Sequence, residues 1–190
     1  MNIRPAALPG VWLVEPVVHE DDRGYFMEAF HEAEFAAAIG QPIRFVQDNQ
    51  SGSGRGVLRG LHYQLPPHAQ GKLVRALRGR ILDVAVDLRR DSTHFGRWVA
   101  HELSEDNRLQ VWIPPGFGHG FLVLSDHAEV LYKVTAHHAP EAARTVRWDD
   151  PQLGIRWPLA AGQAPVLSAR DASAPWLAEA EVFGPYTCGP

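Results

Sequence analysis

The chain has 190 residues, 45% hydrophobic and 21% charged, with a formal net charge of −4. A chain of that length buries roughly 70% of its unfolded surface, enough for a core without disulfides or metal. The composition excludes disorder over most of the length, and the acidic balance excludes a generally basic nucleic-acid surface while leaving room for a local anion pocket.

Met1 to Gly10 carries one Arg, two Pro and no apolar run of signal-peptide length. No later stretch approaches the roughly 18 apolar residues of a membrane span. The first polar-dense segment is Asp21-Asp22-Arg23-Gly24-Tyr25-Phe26-Met27-Glu28. His31 to Ile39, rich in Ala and Glu and stopped by Gly40 and Pro42, is the one clear helix. A second polar-dense segment begins at Gln47-Asp48-Asn49-Gln50-Ser51 and continues through Gly56 to Gln64 and Lys72. Within it, Ser51 to Gly56 reads as a flexible hairpin loop. Lys72 to Leu77 and Ile81 to Leu88 read as strands joined by a turn at Arg78-Gly79-Arg80. In the second strand Leu82, Val84, Val86 and Leu88 face one way, and Asp83, Ala85 and Asp87 the other. Leu109, Val111 and Ile113 alternate with Arg108, Gln110 and Trp112, and Val130, Tyr132 and Val134 with Leu131, Lys133 and Thr135. Between these two runs lies the third polar-dense segment, Ile113-Pro114-Pro115-Gly116-Phe117-Gly118-His119-Gly120-Phe121. Periodicity fades beyond Pro175, so the last residues form an irregular or docked tail. The lone cysteine, Cys188, sits in that tail, cannot form an internal bridge, and suits a cytosolic chain. Many short strands separated by Gly and Pro predict an all-β sandwich or barrel in one domain spanning 1–190, its core at about 10–175.

The chemistry narrows by elimination. Pro114-x-Gly116-x-x-His119 is half of a jelly-roll metal pattern, but His62-Tyr63-Gln64 offers one histidine where two are needed. His137 and His138 are adjacent and point apart on a strand. No metal is expected. There is no Gly-x-Ser-x-Gly elbow, and the Gly-rich run lacks the Gly-Lys-Ser/Thr of a phosphate loop. Metal-free proton chemistry remains. His62 titrates near neutrality and can act as a base, Asp171 can orient it, Lys72 can stabilise an oxyanion, and Tyr132 can donate a proton. Arg59 and Arg23 can bind a diphosphate through their planar forks. Each also has a plain structural reading: a hydrogen-bonded core histidine, a packed tyrosine, an interface arginine. Strict alternation puts Arg59 and His62 on opposite faces of their strand, so either Gly60 marks a bulge or one side chain faces a neighbouring chain.

Several blocks match a known family in order and spacing. They are Asp22-Arg23-Gly24-x-Phe26-x-Glu28, Gln47-x-Asn49-x-Ser51, Gly56 to Gln64, Gly71-Lys72-Leu73-Val74 and Ile113 to Phe121, followed by Tyr132-Lys133, Arg147 to Pro151 and Leu167-Ser168-x-Arg170-Asp171. Together they resemble the dTDP-4-dehydrorhamnose 3,5-epimerases over about Gly10 to Pro175. The resemblance implies a cupin-like jelly roll without metal or other cofactor, acting on a dTDP-sugar as a homodimer. It implies His62 as base, Asp171 as its partner, Lys72 as enolate stabiliser and Tyr132 as proton donor. Arg23, Phe26, Glu28, Gln47, Asn49, Arg59, Lys72, His119 and Arg170 would bind substrate, with Arg23 and Glu28 reaching in from the partner chain. It implies inversion at carbons 3 and 5 in rhamnose biosynthesis. Alternatives are inversion at carbon 3 alone, a 3,4-ketoisomerase on the same barrel, and a non-catalytic sugar-nucleotide-binding jelly roll. The chain departs from the family pattern at His137-His138, where a Tyr pair is common, at Ala143, where a Glu is common, and at Arg170, where Lys is usual.

Overall fold

The computed structural model describes residues 1–160 and 162–184. In chain order the elements are β1 (Asn2–Pro5), β2 (Trp12–Glu15), β3 (Val18–Asp21), β4 (Gly24–Met27), α1 (Glu32–Ile39), β5 (Gln47–Gly54), β6 (Leu58–Gln64) and β7 (Lys72–Arg78). There follow β8 (Arg80–Asp87), β9 (Trp98–Ser104), β10 (Gln110–Ile113), β11 (Phe117–Val123), β12 (His127–Val134), β13 (Ala143–Thr145) and α2 (Ala169–Ala172). The strands form a six-stranded sheet, β1-β2-β10-β7-β12-β5, and a five-stranded sheet, β13-β6-β11-β8-β9. The strand pairs are antiparallel, and β3 and β4 make a separate hairpin. This is the cupin-like jelly roll that the family resemblance implied, within the all-β class that the strand pattern predicted.

Alternation sets the layers. Leu13, Val74, Ala76, Val111 and Val130 of the larger sheet pack against Ile81, Ala85, Leu103, Phe121 and Val123 of the smaller one. Removal of these side chains from water drives the two sheets together. Leu82, Val84, Val86 and Leu88 face the opposite way, onto Leu153, Leu177, Val182 and Phe183. Leu177 to Phe183 are therefore docked, and the core extends past the expected limit to Phe183. Tyr63 Oη donates to the Glu181 carbonyl at 2.6 Å in the same contact. Cys188 lies outside the described residues. On the outer face of the larger sheet, Phe35 of α1 is fully buried against Trp112, Leu73 and Val14.

The helix begins one residue later than the sequence suggests. His31 is its N-cap, and its Nδ1 accepts from the Glu34 amide at 3.3 Å. Gly40 closes it at φ 82°, donating its amide to the Ala36 carbonyl. Ser51 to Gly54 corrects the loop reading: it is the second half of β5, paired residue for residue with Val130 to His127 of β12. Glycine and serine at alternate positions concealed a strand whose pairing is set by its neighbour. His137 and His138 are also corrected, since β12 ends at Val134 and both lie in the connection to β13.

Candidate active site

The strand that carries Arg59 and His62 solves its own alternation problem. Opposite β11, His62 pairs with His119 and Arg59 pairs with Phe121, with the register shifting between them. The extra residue is a bulge at Gly60, with φ 125°. A Cβ there would lie 2.5 Å from Gly120 Cα and 2.7 Å from the His119 carbonyl oxygen. Only paired glycines let the two backbones approach so closely. The bulge turns Arg59 and His62 onto the same face.

His62 meets Asp171 from a distant part of the chain. Ser168 caps α2 by accepting from the Asp171 amide at 3.1 Å, which fixes the carboxylate against β6. His62 Nε2 then lies 2.5 Å from Asp171 Oδ1. A carboxylate only accepts, so Nε2 carries the hydrogen and Nδ1 keeps the basic lone pair. Burial pushes the His62 imidazole down; the bond and charge of Asp171 push back, and Lys72 and Arg170 reinforce burial. The net direction is downward, which favours the neutral base at pH 7. Burial alone would raise the Asp171 carboxyl, but the His62 bond and charge, the Ser168 hydroxyl and the Gly60 amide together hold it low.

Lys72 lies at the start of β7 with 7% of its surface exposed, and its Nζ donates to the His62 carbonyl at 3.3 Å. Burial lowers its pKa from the usual 10.5 to about 8, with the Asp83 carboxylate pulling the other way. Tyr132 faces inward from β12, and its phenol is raised by burial and lowered less by Arg59. His62, Lys72 and Tyr132 line one cavity of about 340 Å³ together with Gln47, Asn49 and Arg170. Gln47 Nε2 donates to Asn49 Oδ1 at 2.7 Å, and Arg170 Nε to Thr145 Oγ1 at 3.0 Å. A base, a cation and a phenol around one cavity can take a proton from carbon, hold the resulting oxyanion and return a proton.

Other expected residues lie apart from that cavity in the same chain. Arg59 is exposed and donates to Ser53 Oγ at 2.9 and 3.0 Å. His119 is buried behind His62, its Nε2 2.7 Å from Asp83 Oδ2. Arg23 and Phe26 belong to the β3–β4 hairpin and Glu28 follows it; Arg23 pairs with Asp21 at 2.5 Å and Phe26 is 71% exposed. Sequence reasoning did not name Tyr63, Gln64 and Gln70 as site residues, and they line the cavity together with His138 and Ala143, which stood out only as departures from the family pattern. Gln64 had a signal, as the end of the second polar-dense segment. Its Oε1 accepts from the Ala139 amide at 2.9 Å and sits 3.1 Å from His138 Nδ1, so it holds the segment after β12 against the cavity. Among the described residues only Glu28, His31 and Glu34 bring three potential metal ligands within 4.8 Å of one another, and none lines the cavity.

The family model for dTDP-4-dehydrorhamnose 3,5-epimerase matches residues 5–179. A dTDP-4-dehydrorhamnose 3,5-epimerase of Pseudomonas aeruginosa is 55% identical over 183 residues, spanning 96% of this chain and 99% of that one. A dTDP-6-deoxy-D-glucose-3,5-epimerase from Legionella pneumophila, solved in complex with dTDP-4-keto-L-rhamnose, aligns with a TM-score of 0.92 at 44% identity, covering 98% of this chain and 99% of that one. A 3′-monoepimerase from Streptomyces bikiniensis, in complex with dTDP-quinovose, aligns with a TM-score of 0.85 at 40% identity over 92% of this chain and 87% of that one.

Proposed function

Since the chain belongs to the dTDP-4-dehydrorhamnose 3,5-epimerase family, we infer that it inverts carbons 3 and 5 of dTDP-4-dehydro-6-deoxy-D-glucose to give dTDP-4-dehydro-L-rhamnose, in rhamnose biosynthesis. The observation that carries this reading is the convergence of the His62–Asp171 pair, Lys72 and Tyr132 on one cavity. The hydrogens on carbons 3 and 5 are both α to the 4-ketone and therefore acidic. His62 Nδ1 takes each in turn, and the C–H electron pair moves into the ring to form an enolate with its charge on the carbon-4 oxygen. The Lys72 ammonium stabilises that charge more than it does the neutral ketone, so it lowers the barrier rather than only tightening binding. Tyr132 returns a proton to the opposite face; between the two rounds His62 gives its proton up to solvent and Tyr132 is recharged from it. Asp171 keeps the His62 ring in the required tautomer and stabilises its protonated form.

Arg59 binds the diphosphate, with Gln47, Asn49 and Arg170 about the cavity and His119 behind it. Arg23, Phe26 and Glu28 serve the site of a second copy. Val17, Tyr25 and Phe26 are 53%, 59% and 71% exposed on or beside one hairpin, which supports an arm that packs on a partner. A homodimer of about 42 kDa, twice the 21.1 kDa chain, is expected in gel filtration. Among the described residues no helix is long and apolar enough to cross a membrane, in keeping with a cytoplasmic enzyme.

Inversion at carbon 3 alone is the second reading, favoured by the likeness to the monoepimerase. One experiment separates the two. The protein is incubated with dTDP-4-dehydro-6-deoxy-D-glucose in D₂O, and deuterium on the sugar is counted by NMR. Deuterium at carbons 3 and 5 is the expected result. Deuterium at carbon 3 alone selects the second reading, and none at either carbon refutes both.

A further inference from the structure

Behind the cavity lies a buried carboxylate that the reaction above does not use. Asp83, in the middle of β8, is 2% exposed and shares the interior face of its strand with Ala85 and Ile81. Sequence alternation separates it from Leu82 and Val84, and the face it occupies is the barrel interior. Its Oδ2 accepts from His119 Nε2 at 2.7 Å, and His119 is itself directly across from His62. Lys72 reaches the same place from the other sheet: its Nζ donates to the carbonyl of His62, the residue opposite His119, and there the Asp83 carboxylate opposes the loss of its proton.

We propose that Asp83 is a positioning residue for the reaction: from behind the cavity its carboxylate keeps Lys72 an ammonium and locks His119, and through Lys72 it sets the upper pH limit of enolate formation. The reasoning is electrostatic. A buried lysine tends to lose its proton, and a neutral amine cannot stabilise an enolate. An anion fixed within the same low-dielectric interior opposes that loss far more strongly than it would in water. The titratable and charged groups that line the cavity with Lys72 are His62 and Tyr63 from β6, Tyr132 from β12, His138 from the connection after β12 and Arg170 from α2, and Asp83 of β8 acts on it from behind. His62 and Arg170 do not favour a further cation, and the Tyr132 phenol is neutral through this pH range. Asp83 is thus the one anion among them. Around Asp83 itself stand Lys72, His119 from β11 and His101 from β9, its direct cross-strand neighbour. His101 is pushed toward its neutral form by burial, with Asp83 opposing, and its Nε2 is buried without a hydrogen-bond partner. It adds no competing cation near pH 8. Bound to a carboxylate, His119 carries its hydrogen on Nε2, so the pair is a rigid wall behind His62.

The inference rests on Lys72 acting as an ammonium in the proposed reaction, but it can be read without substrate. The chain has two lysines, Lys72 and Lys133. Lys133 is on the outer side of the same strand pair, bound to Asp48 at 2.9 Å, and serves as an internal reference. Protein labelled with ¹³C at lysine Cε gives two resonances to follow against pH. In the wild type the Lys72 resonance should titrate near 8. In Asp83→Asn it should titrate about one to three units lower, the effect expected of losing one close opposite charge. The alkaline limb of kcat/KM for the dTDP-sugar should move down with it, and Asp83→Glu, which keeps the charge, should restore the limb. A merely structural role would lower the rate without moving either midpoint. An unchanged Lys72 midpoint in Asp83→Asn overturns the proposal. So does failure of both Asp83→Asn and Asp83→Ser to fold, which would make Asp83 a folding residue. Absence of turnover by the wild type, with the Lys72 midpoint shifted in Asp83→Asn, would refute the proposed function and leave the Lys72–Asp83 coupling standing.

Discussion

Replacing Lys72 with Met should make the protein more stable and almost inactive. Lys72 is 7% exposed, and burial lowers its pKa from 10.5 to about 8. Each pKa unit corresponds to about 1.4 kcal/mol, so keeping the ammonium in the fold costs about 3 kcal/mol when it is charged. Methionine has nearly the same length and fills the space without a charge. Losing the bond to the His62 carbonyl offsets about 1–2 kcal/mol of the gain. A net stabilisation of about 1–2 kcal/mol remains near pH 6, or roughly 2–8 °C in Tm for a chain of this size. The pH dependence has a definite sign. The folded-state pKa lies below the unfolded one, so between pH 8 and 10.5 the unfolded state binds more protons. Wild-type stability therefore rises with pH across that window. The advantage of Lys72→Met is full below pH 8 and gone above pH 10.5. Urea denaturation of both proteins at pH 6, 8, 9 and 10 measures it, alongside turnover at pH 7, which should fall at least about 10²-fold. A variant less stable than the wild type at pH 6 would show the ammonium to be well compensated by its surroundings and would refute the reasoning.

Tyr132→Phe should separate proton removal from proton return. With His62 intact, deuterium from D₂O should still enter the substrate at carbon 3, while net epimerisation falls about 10²-fold or more. Equal loss of exchange and turnover would assign Tyr132 to an earlier step. Gly60→Ala should destabilise the protein by about 2–4 kcal/mol, because φ 125° is strained for alanine and the new Cβ would meet Gly120 at 2.5 Å. Thermal unfolding reads the loss, and a change in Tm of less than about 2 °C would mean that β6 and β11 separate without strain.

The alternating strands were legible because period-two hydrophobicity is a direct image of a sheet with one face on a core. Val111 and Val130 face the interior as their alternation predicts. The helix was legible from its composition and its Gly40 stop. Strand β5 was not, because Gln, Asn, Ser and Gly carry no strand preference, and its place is set by eight consecutive pairings to β12. The tail was half legible: Leu177 and Phe183 lack a period yet cover the outer face of the smaller sheet. At the site, the Gly60 bulge followed from the conflict between Arg59 and His62, which alternation alone exposes. The pairing of Asp171 with His62 was a candidate from residue types and from the family resemblance, but its geometry was not legible, since 109 positions separate them and only the fold brings them together. Asp83 and Asp87 were hardest to interpret. Charged residues facing away from a run of Leu and Val suggest a solvent face, but here both faces of β8 are covered.

That double coverage also links the fold to the chemistry. A barrel interior filled only with Val, Leu and Phe would be more stable, and this one is so filled on the side of Val111, Val130 and Phe121. At the other side the same layer holds Lys72, Asp83 and His119, each less than a tenth exposed. Buried ionic groups of this kind rarely raise stability over apolar replacements. Their value in an enolisation lies elsewhere. Water that would screen an enolate is largely excluded, so one fixed ammonium is worth more there than on a surface. The same exclusion tends to strip Lys72 of its proton, and an anion behind it is the remedy that leaves the cavity itself free for substrate. A carboxylate inside the cavity would also hold the proton on Lys72, but it would repel the enolate. Placing Asp83 on the far sheet, tied to His119, keeps the cation available while keeping the negative charge away from the reacting carbon.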